Sequence, residues 1–227
     1  LGWASIILPE QYGGLEFGFT GLGVVLEETG RTLAASPLFA SAVVGASALL
    51  LGGSDAQKES LLPQIAAGEL TLALALEESP HHRPTKIATT ATPDGDGFIL
   101  DGSKTFVLDG HSADRLLVVA RTSGEADSPE GISLFLVERN APGVNCQRTI
   151  MADSRNAANI RLDKVAVGRG DLVGAADQGW AVLEPVLDRG RIALAAEMLG
   201  MALEAFERTV AYLKEREQFG ALIGSFQ

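Results

Sequence analysis

The sequence predicts an α+β, multi-domain chain, and three observations carry that prediction. Apolar residues recur at steps of three or four near the start, turn residues recur at short intervals in the middle, and a single long helical pattern closes the chain. The expected domains are 1–70, helical; 71–175, a β domain with the strand spacing of a barrel or sandwich; and 176–227, the first long helix of a further helical domain.

The helical part is read first. Leu22, Val25, Leu26, Thr29 and Leu33 put a helix over Phe19–Leu33, with Gly30 as a local cost. Ser36-Pro37 suits the cap and first turn of a second helix running to about Leu51, which Gly52-Gly53 ends. Ser54 caps a third, Asp55–Ala67. Strands follow at Leu72–Leu76, Thr85–Thr92, Phe98–Leu100, Lys104–Leu108, Arg115–Arg121, Ile132–Val137, around Val144–Gln147, and Ala157–Arg161. Asp94-Gly95-Asp96-Gly97 marks a hairpin turn, and Asp101-Gly102 reads as another. Asp177 is the natural N-cap of a helix to Arg216, about 60 Å long at the α-helical rise. So long a helix needs several partners to cover it.

A net charge of −11 leaves no basic stripe to neutralise phosphates, which argues against nucleic-acid binding. One cysteine, Cys146, excludes a disulfide framework or a Cys-rich metal site within the chain and reads as a half-buried strand residue. No membrane span is expected, because the apolar run Leu38–Leu51 is too short. Leu1-Gly2-Trp3 opens with no signal peptide, both ends read as cut, and a reducing, cytoplasmic location is expected. Generic motifs mostly fail. Gly18, Gly21 and Gly23 follow no strand, as a dinucleotide loop would require, and read as loop and helix-start residues. His81-His82 reads as a solvated loop, and no metal site is expected.

A set of motifs in order along the chain resembles the acyl-CoA dehydrogenase family. Leu8-Pro9-Glu10-Gln11-Tyr12-Gly13-Gly14, Glu27-Glu28, Gly53-Ser54-x-x-Gln57-Lys58 and Leu62-Pro63-x-Ile65-Ala66-x-Gly68-Glu69 resemble the N-terminal signatures. Leu100-Asp101-Gly102-x-Lys104 and Gly110-x-x-Ala113-Asp114 are similar to the β-domain pattern. Asp188-x-x-Arg191 and Tyr212-x-x-x-Arg216-x-Gln218-Phe219-Gly220-x-x-Ile223-x-x-Phe226-Gln227 resemble the helical one. The resemblance implies an N-terminal helical domain, a middle β-barrel and the start of a C-terminal helical bundle.

It also implies FAD and the α,β-dehydrogenation of an acyl-CoA thioester, with electrons passed to an electron-transfer flavoprotein or similar acceptor. A homo- or hetero-oligomer is implied, because Arg216 and Phe219 match positions that meet the flavin of a neighbouring subunit, and Gln218 and Gln227 match flavin-contact positions. A guanidinium such as that of Arg216 suits a pyrophosphate. Leu76, Glu77, Phe106, Val107 and Leu108 match the flavin wall, and Asp188 and Arg191 match substrate-pocket positions. Three departures stand out. Glu77-Glu78-Ser79-Pro80-His81-His82-Arg83-Pro84 replaces the usual Thr-Glu-Pro-x-x-Gly-Ser-Asp loop, and its carboxylates would repel an anion unless they point away. Phe106-Val107-Leu108 replaces Trp-Ile-Thr, so a ring remains and a hydroxyl is lost. No catalytic base is expected within the chain: a minority of the family place it where Gly190 stands, and Glu197 reads as structural. These departures give a second expectation, a supporting subunit of a heteromeric dehydrogenase.

Overall fold

The computed structural model describes residues 2–153 and 155–226. α1 spans Gly18–Thr32, close to the predicted limits. After Pro37 the chain makes eight residues of π-helix, Leu38–Gly45, before α2, Ala46–Gly52. The apolar run there is buried on nearly all sides, so tertiary packing decides the winding. Ser41 explains part of it: its hydroxyl donates to the Leu72 carbonyl at 3.1 Å and accepts from the Leu72 N–H at 2.9 Å, tying this turn to the first strand. α3, Asp55–Ala67, begins with a capping box in which the Ser54 hydroxyl and the Gln57 side chain exchange hydrogen bonds with each other's backbone.

The middle domain is one eight-stranded sheet. Its strands are β1 Leu72–Ala75, β2 Thr90–Asp94, β3 Gly97–Leu108, β4 Arg115–Arg121, β5 Ile132–Glu138, β6 Val144–Ile150, β7 Asn156–Gly168 and β8 Leu172–Val173. The order is β6-β7-β3-β2-β4-β5-β8, with β1 beside β4. Period-two alternation sorts β4 and β5 between two cores. Leu117, Val119, Leu134 and Leu136 pack under the N-terminal helices; Leu116, Val118, Phe135 and Val137 face a core enclosed by the sheet itself. The sheet curls enough to bring Phe98 of β3 within 5.1 Å of Phe135 of β5, although β2 and β4 lie between these strands in the pairing order.

Three expectations change. The stretch before Thr90 is not a strand, because Glu78 captures the Ala88 and Thr89 N–H groups that a ladder would use. Asp101-Gly102 is not a turn: β3 runs through it with a register shift against β7, and Gly102 sits so close to Thr89 that a Cβ would stand 2.5 Å from its hydroxyl. Asp177 is not the helix cap. It takes φ 63° and accepts from the hydroxyls of Thr122 and Ser123 at 2.7 and 2.6 Å, and Gln178 precedes α4, Gly179–Glu215. Those two hydroxyls hold its carboxylate below the usual range. Beyond α4, β9 Glu217–Gln218 and β10 Ala221–Leu222 form a small hairpin. No helix among the described residues is long and apolar enough to cross a membrane.

Candidate functional site

A cleft of about 390 Å³ opens where the three parts of the chain meet. The π-helix lends Phe39, Ala40 and Val44; the sheet lends Leu76, Glu77 and the end of β3; α4 lends Leu187, Gly190, Arg191 and Leu194. The lining is mostly apolar, with Glu77, His82, Thr105 and Arg191 as its polar side chains.

The β3 wall owes its shape to a bulge. Lys104 pairs with Ile160 and Val107 with Ala158, so Thr105 and Phe106 face the single residue Asn159. Asn159 Oδ1 accepts from the Phe106 N–H and the Thr105 hydroxyl, each at 3.0 Å. Phe106 takes φ 55° and stays 54% exposed, its ring on the cleft rather than in the core. Neighbouring Val107 is buried, and Leu108 lines the cleft at the strand's end.

The facing segment is pinned from beneath. Lys104 is fully buried, and its ammonium donates to the Leu76 carbonyl at 3.1 Å and to Glu78 Oε1 at 2.7 Å. Burial pulls its pKa down to about 8 against the pull of Glu78. Burial alone would raise the Glu78 carboxyl, but the Lys104 charge and the donors at Lys104, Thr89 and Ala88 hold it below its ordinary value. The Thr105 N–H donates to the Glu77 carbonyl at 2.7 Å, and the Glu77 side chain meets His82 Nδ1 at 2.6 Å. Of the two carboxylates, Glu78 therefore points away from the cleft and Glu77 faces it with a histidine attached.

Most expected positions come together. Leu76, Glu77, Phe106, Val107, Leu108 and Arg191 line one cleft; Asp188 stands beside it, ion-paired with Arg191. Gly190 faces the cleft, and a Cβ there would stand 3.6 Å from Phe39. Glu197 is buried and ion-paired with Arg155. Arg216, Gln218 and Phe219 lie elsewhere. Arg216 follows α4, roughly 37 Å along the helix from Arg191 at the α-helical rise. Phe219 is 95% exposed there, edge-on to Phe226 at 6.5 Å. Gln227 falls outside the described residues. Sequence reasoning missed the π-helix contribution and the pairing of His82, which lines the rim of the cleft while remaining exposed; the charges in Glu77–Arg83 gave no sign of which pair would close.

Three domain descriptions match in register with this architecture: acyl-CoA dehydrogenase N-terminal domain over residues 1–69, middle domain over 75–165 and C-terminal domain over 177–227. The chain belongs to the acyl-CoA dehydrogenase family. An acyl-CoA dehydrogenase of Bacillus subtilis is 33% identical over 233 residues, covering 100% of this chain and 61% of the relative. The structure of butyryl-CoA dehydrogenase from Megasphaera elsdenii superposes with a TM-score of 0.88 at 27% identity, over 100% of this chain and 61% of that one. A variant of the Tcur3481-Tcur3483 steroid ACAD is 39% identical, with a TM-score of 0.85 over 100% of this chain and 58% of that one. The chain thus spans about three fifths of the length of these family members.

Proposed function

We propose that this chain forms the flavin-facing and acyl-facing walls of an FAD-dependent acyl-CoA dehydrogenase. The substrate would be an acyl-CoA thioester, losing a proton from its α-carbon and a hydride from its β-carbon. The observation that carries this reading is the single cleft that joins Leu76, Glu77, Phe106, Val107 and Leu108 to Arg191 across three domains. The chemistry of the lining fits a flavin ring: Phe106 offers an exposed aromatic face, and Leu74, Val44, Leu187 and Leu194 supply apolar surface that excludes water. Bound FAD would supply the two-electron acceptor, from which an electron-transfer flavoprotein or similar acceptor would take the electrons. Arg191, ion-paired with Asp188, places a guanidinium at the rim of the cleft, where it could meet a bound acyl-CoA. Arg216 is too far along α4 to serve the cleft of its own chain, so its guanidinium would meet the pyrophosphate bound to a second subunit. Glu77 is committed to His82, so we place no α-proton acceptor in this chain.

A second reading is favoured by two observations. Leu108 offers no hydroxyl to the ring, and the 39%-identical neighbour carries a paired designation, Tcur3481-Tcur3483. On that reading the chain is a supporting subunit that needs a different partner to complete a flavin site. One experiment separates the two. The purified protein is examined by visible absorption, then titrated with FAD. A retained or loadable flavin band supports the dehydrogenase reading; folded protein that is colourless once excess FAD has been removed by gel filtration rejects it in favour of the supporting subunit.

A further inference from the structure

Among the described residues, a buried acceptor without a partner lies beside the cleft. On the other side of Leu108 lies a second cavity, of about 200 Å³, lined by Ser36 and Pro37 after α1 and by Asp109, Ser112, Arg155 and Asn156. Asp109 follows β3 with φ 58°, a conformation that Asp tolerates better than most residues. Its backbone is satisfied: its N–H donates to the Asn156 carbonyl at 2.7 Å, and its carbonyl accepts from the Ala113 N–H at 2.9 Å. Among the described residues no donor reaches its carboxylate. Burial pushes the carboxyl up to about 6, and only the charge of Arg155 works against that rise. Asn156 spends its amide nitrogen on Ser112 Oγ at 2.6 Å, which leaves its buried Oδ1 without a partner. One N–H of the Arg155 guanidinium donates to Glu197, and its charge still reaches Asp109. The cavity therefore holds one buried acceptor without a donor, Asn156 Oδ1, and beside it the half-buried Asp109 carboxylate within reach of the Arg155 charge.

We propose that this cavity is a distal subsite for a hydroxyl group, carried by an acyl-CoA whose apolar portion lies in the adjoining cleft. The proposal rests on the dehydrogenase reading and adds a substrate class to it. A buried acceptor left unpaired is costly, so a group that brings a donor is favoured over a methyl. An ammonium would sit beside the Arg155 charge, and a carboxylate would meet that of Asp109. A hydroxyl donates to Asp109 or to Asn156 Oδ1 and accepts from Ser36 or Ser112, with no net charge to bury.

The test is calorimetric titration of the purified protein with matched thioesters: the ω-hydroxy, unsubstituted and ω-carboxy forms of octanoyl- and dodecanoyl-CoA. The ω-hydroxy form is expected to bind roughly tenfold tighter than the unsubstituted form at one of the two lengths, as a hydrogen bond to a charged acceptor allows. In Asp109→Leu that ratio should fall to within about twofold, whereas Asp109→Asn, which keeps an acceptor, should retain about threefold. Asn156→Ala supplies the same comparison should Asp109→Leu fail to fold. Equal affinity for hydroxy and unsubstituted thioesters in the native protein overturns the subsite and leaves the dehydrogenase reading standing. So does a preference that survives in Asp109→Leu, or in Asn156→Ala where that variant decides, or an ω-carboxy form that binds tightest. No binding of any thioester overturns both.

Discussion

Lys104 and Glu78 show how much one buried pair decides. The Lys104 side chain has no exposed surface, and Glu78 is its only charged partner within bonding distance among the described residues. Removing one member strands the other in a medium where an unpaired ion costs several kcal/mol. Lys104→Met should therefore lower the unfolding free energy by about 3–5 kcal/mol, read from urea denaturation. Glu78→Leu combined with Lys104→Met should recover part of that loss, because no ion is then stranded, while the Ala88 and Thr89 N–H groups and the Leu76 carbonyl lose a partner. If the double variant is no more stable than Lys104→Met alone, the pair is not the unit assumed here. The sequence marked Lys104 through its Leu100–Lys104 pattern, yet it could not show that Glu78 would turn inward. Charge is visible in a sequence and direction is not, so Glu77 and Glu78 looked alike until their partners, His82 and Lys104, were known.

Between elements, the crossing of α1 and α4 rests on two glycines that answer each other. A Cβ on Gly30 would stand 2.1 Å from the Glu197 carbonyl oxygen, and one on Gly200 would stand 1.9 Å from that of Glu27. Gly30 read as a simple propensity cost in the sequence; its worth is that the two backbones touch. Alanine would gain about 1 kcal/mol of helix propensity at either site. Forcing a methyl into a backbone carbonyl costs about 3 kcal/mol or more, so the clash wins. Gly30→Ala and Gly200→Ala should each lower Tm by roughly 4–8 °C for a chain of this size. Gly23→Ala is the control: its nearest neighbour would be the Ala196 methyl at 4.0 Å, so Tm should hold or rise slightly. Three variants with the same Tm would show that the crossing tolerates spreading. Helix limits were legible here because caps and spacing are local, as the Ser54 capping box shows. The π-helix was not, since its winding answers to Leu72, more than twenty residues away in sequence.

On the scale of the whole molecule, the order of domains was legible because each has its own periodicity, while the cleft was not, because it exists only where Phe39, Phe106 and Arg191 converge. The long helix adds a further consequence. Ile192, Leu199, Phe206 and Leu213 recur every seven residues on α4 and are 61%, 51%, 67% and 37% exposed. A stripe of that kind runs roughly 30 Å along one face at the α-helical rise and is the seam of helix-on-helix packing. Contiguous apolar surface of this length is rarely left in water. Phe219 and Phe226 beyond the helix are exposed as well. Residues 1–227 by themselves are therefore expected to associate through this face, which further helices of the C-terminal domain or a second subunit would cover. Sedimentation velocity over a range of concentrations should show species larger than the monomer. Leu199→Glu with Phe206→Glu places two carboxylates on the seam, where burial without a partner is prohibitive, and should return the chain to a monomer with its far-ultraviolet circular dichroism unchanged. Native protein that stays monomeric at every concentration, alone and mixed with a candidate partner subunit, would remove the interface from α4 and with it the argument that Arg216 reaches a neighbour's flavin.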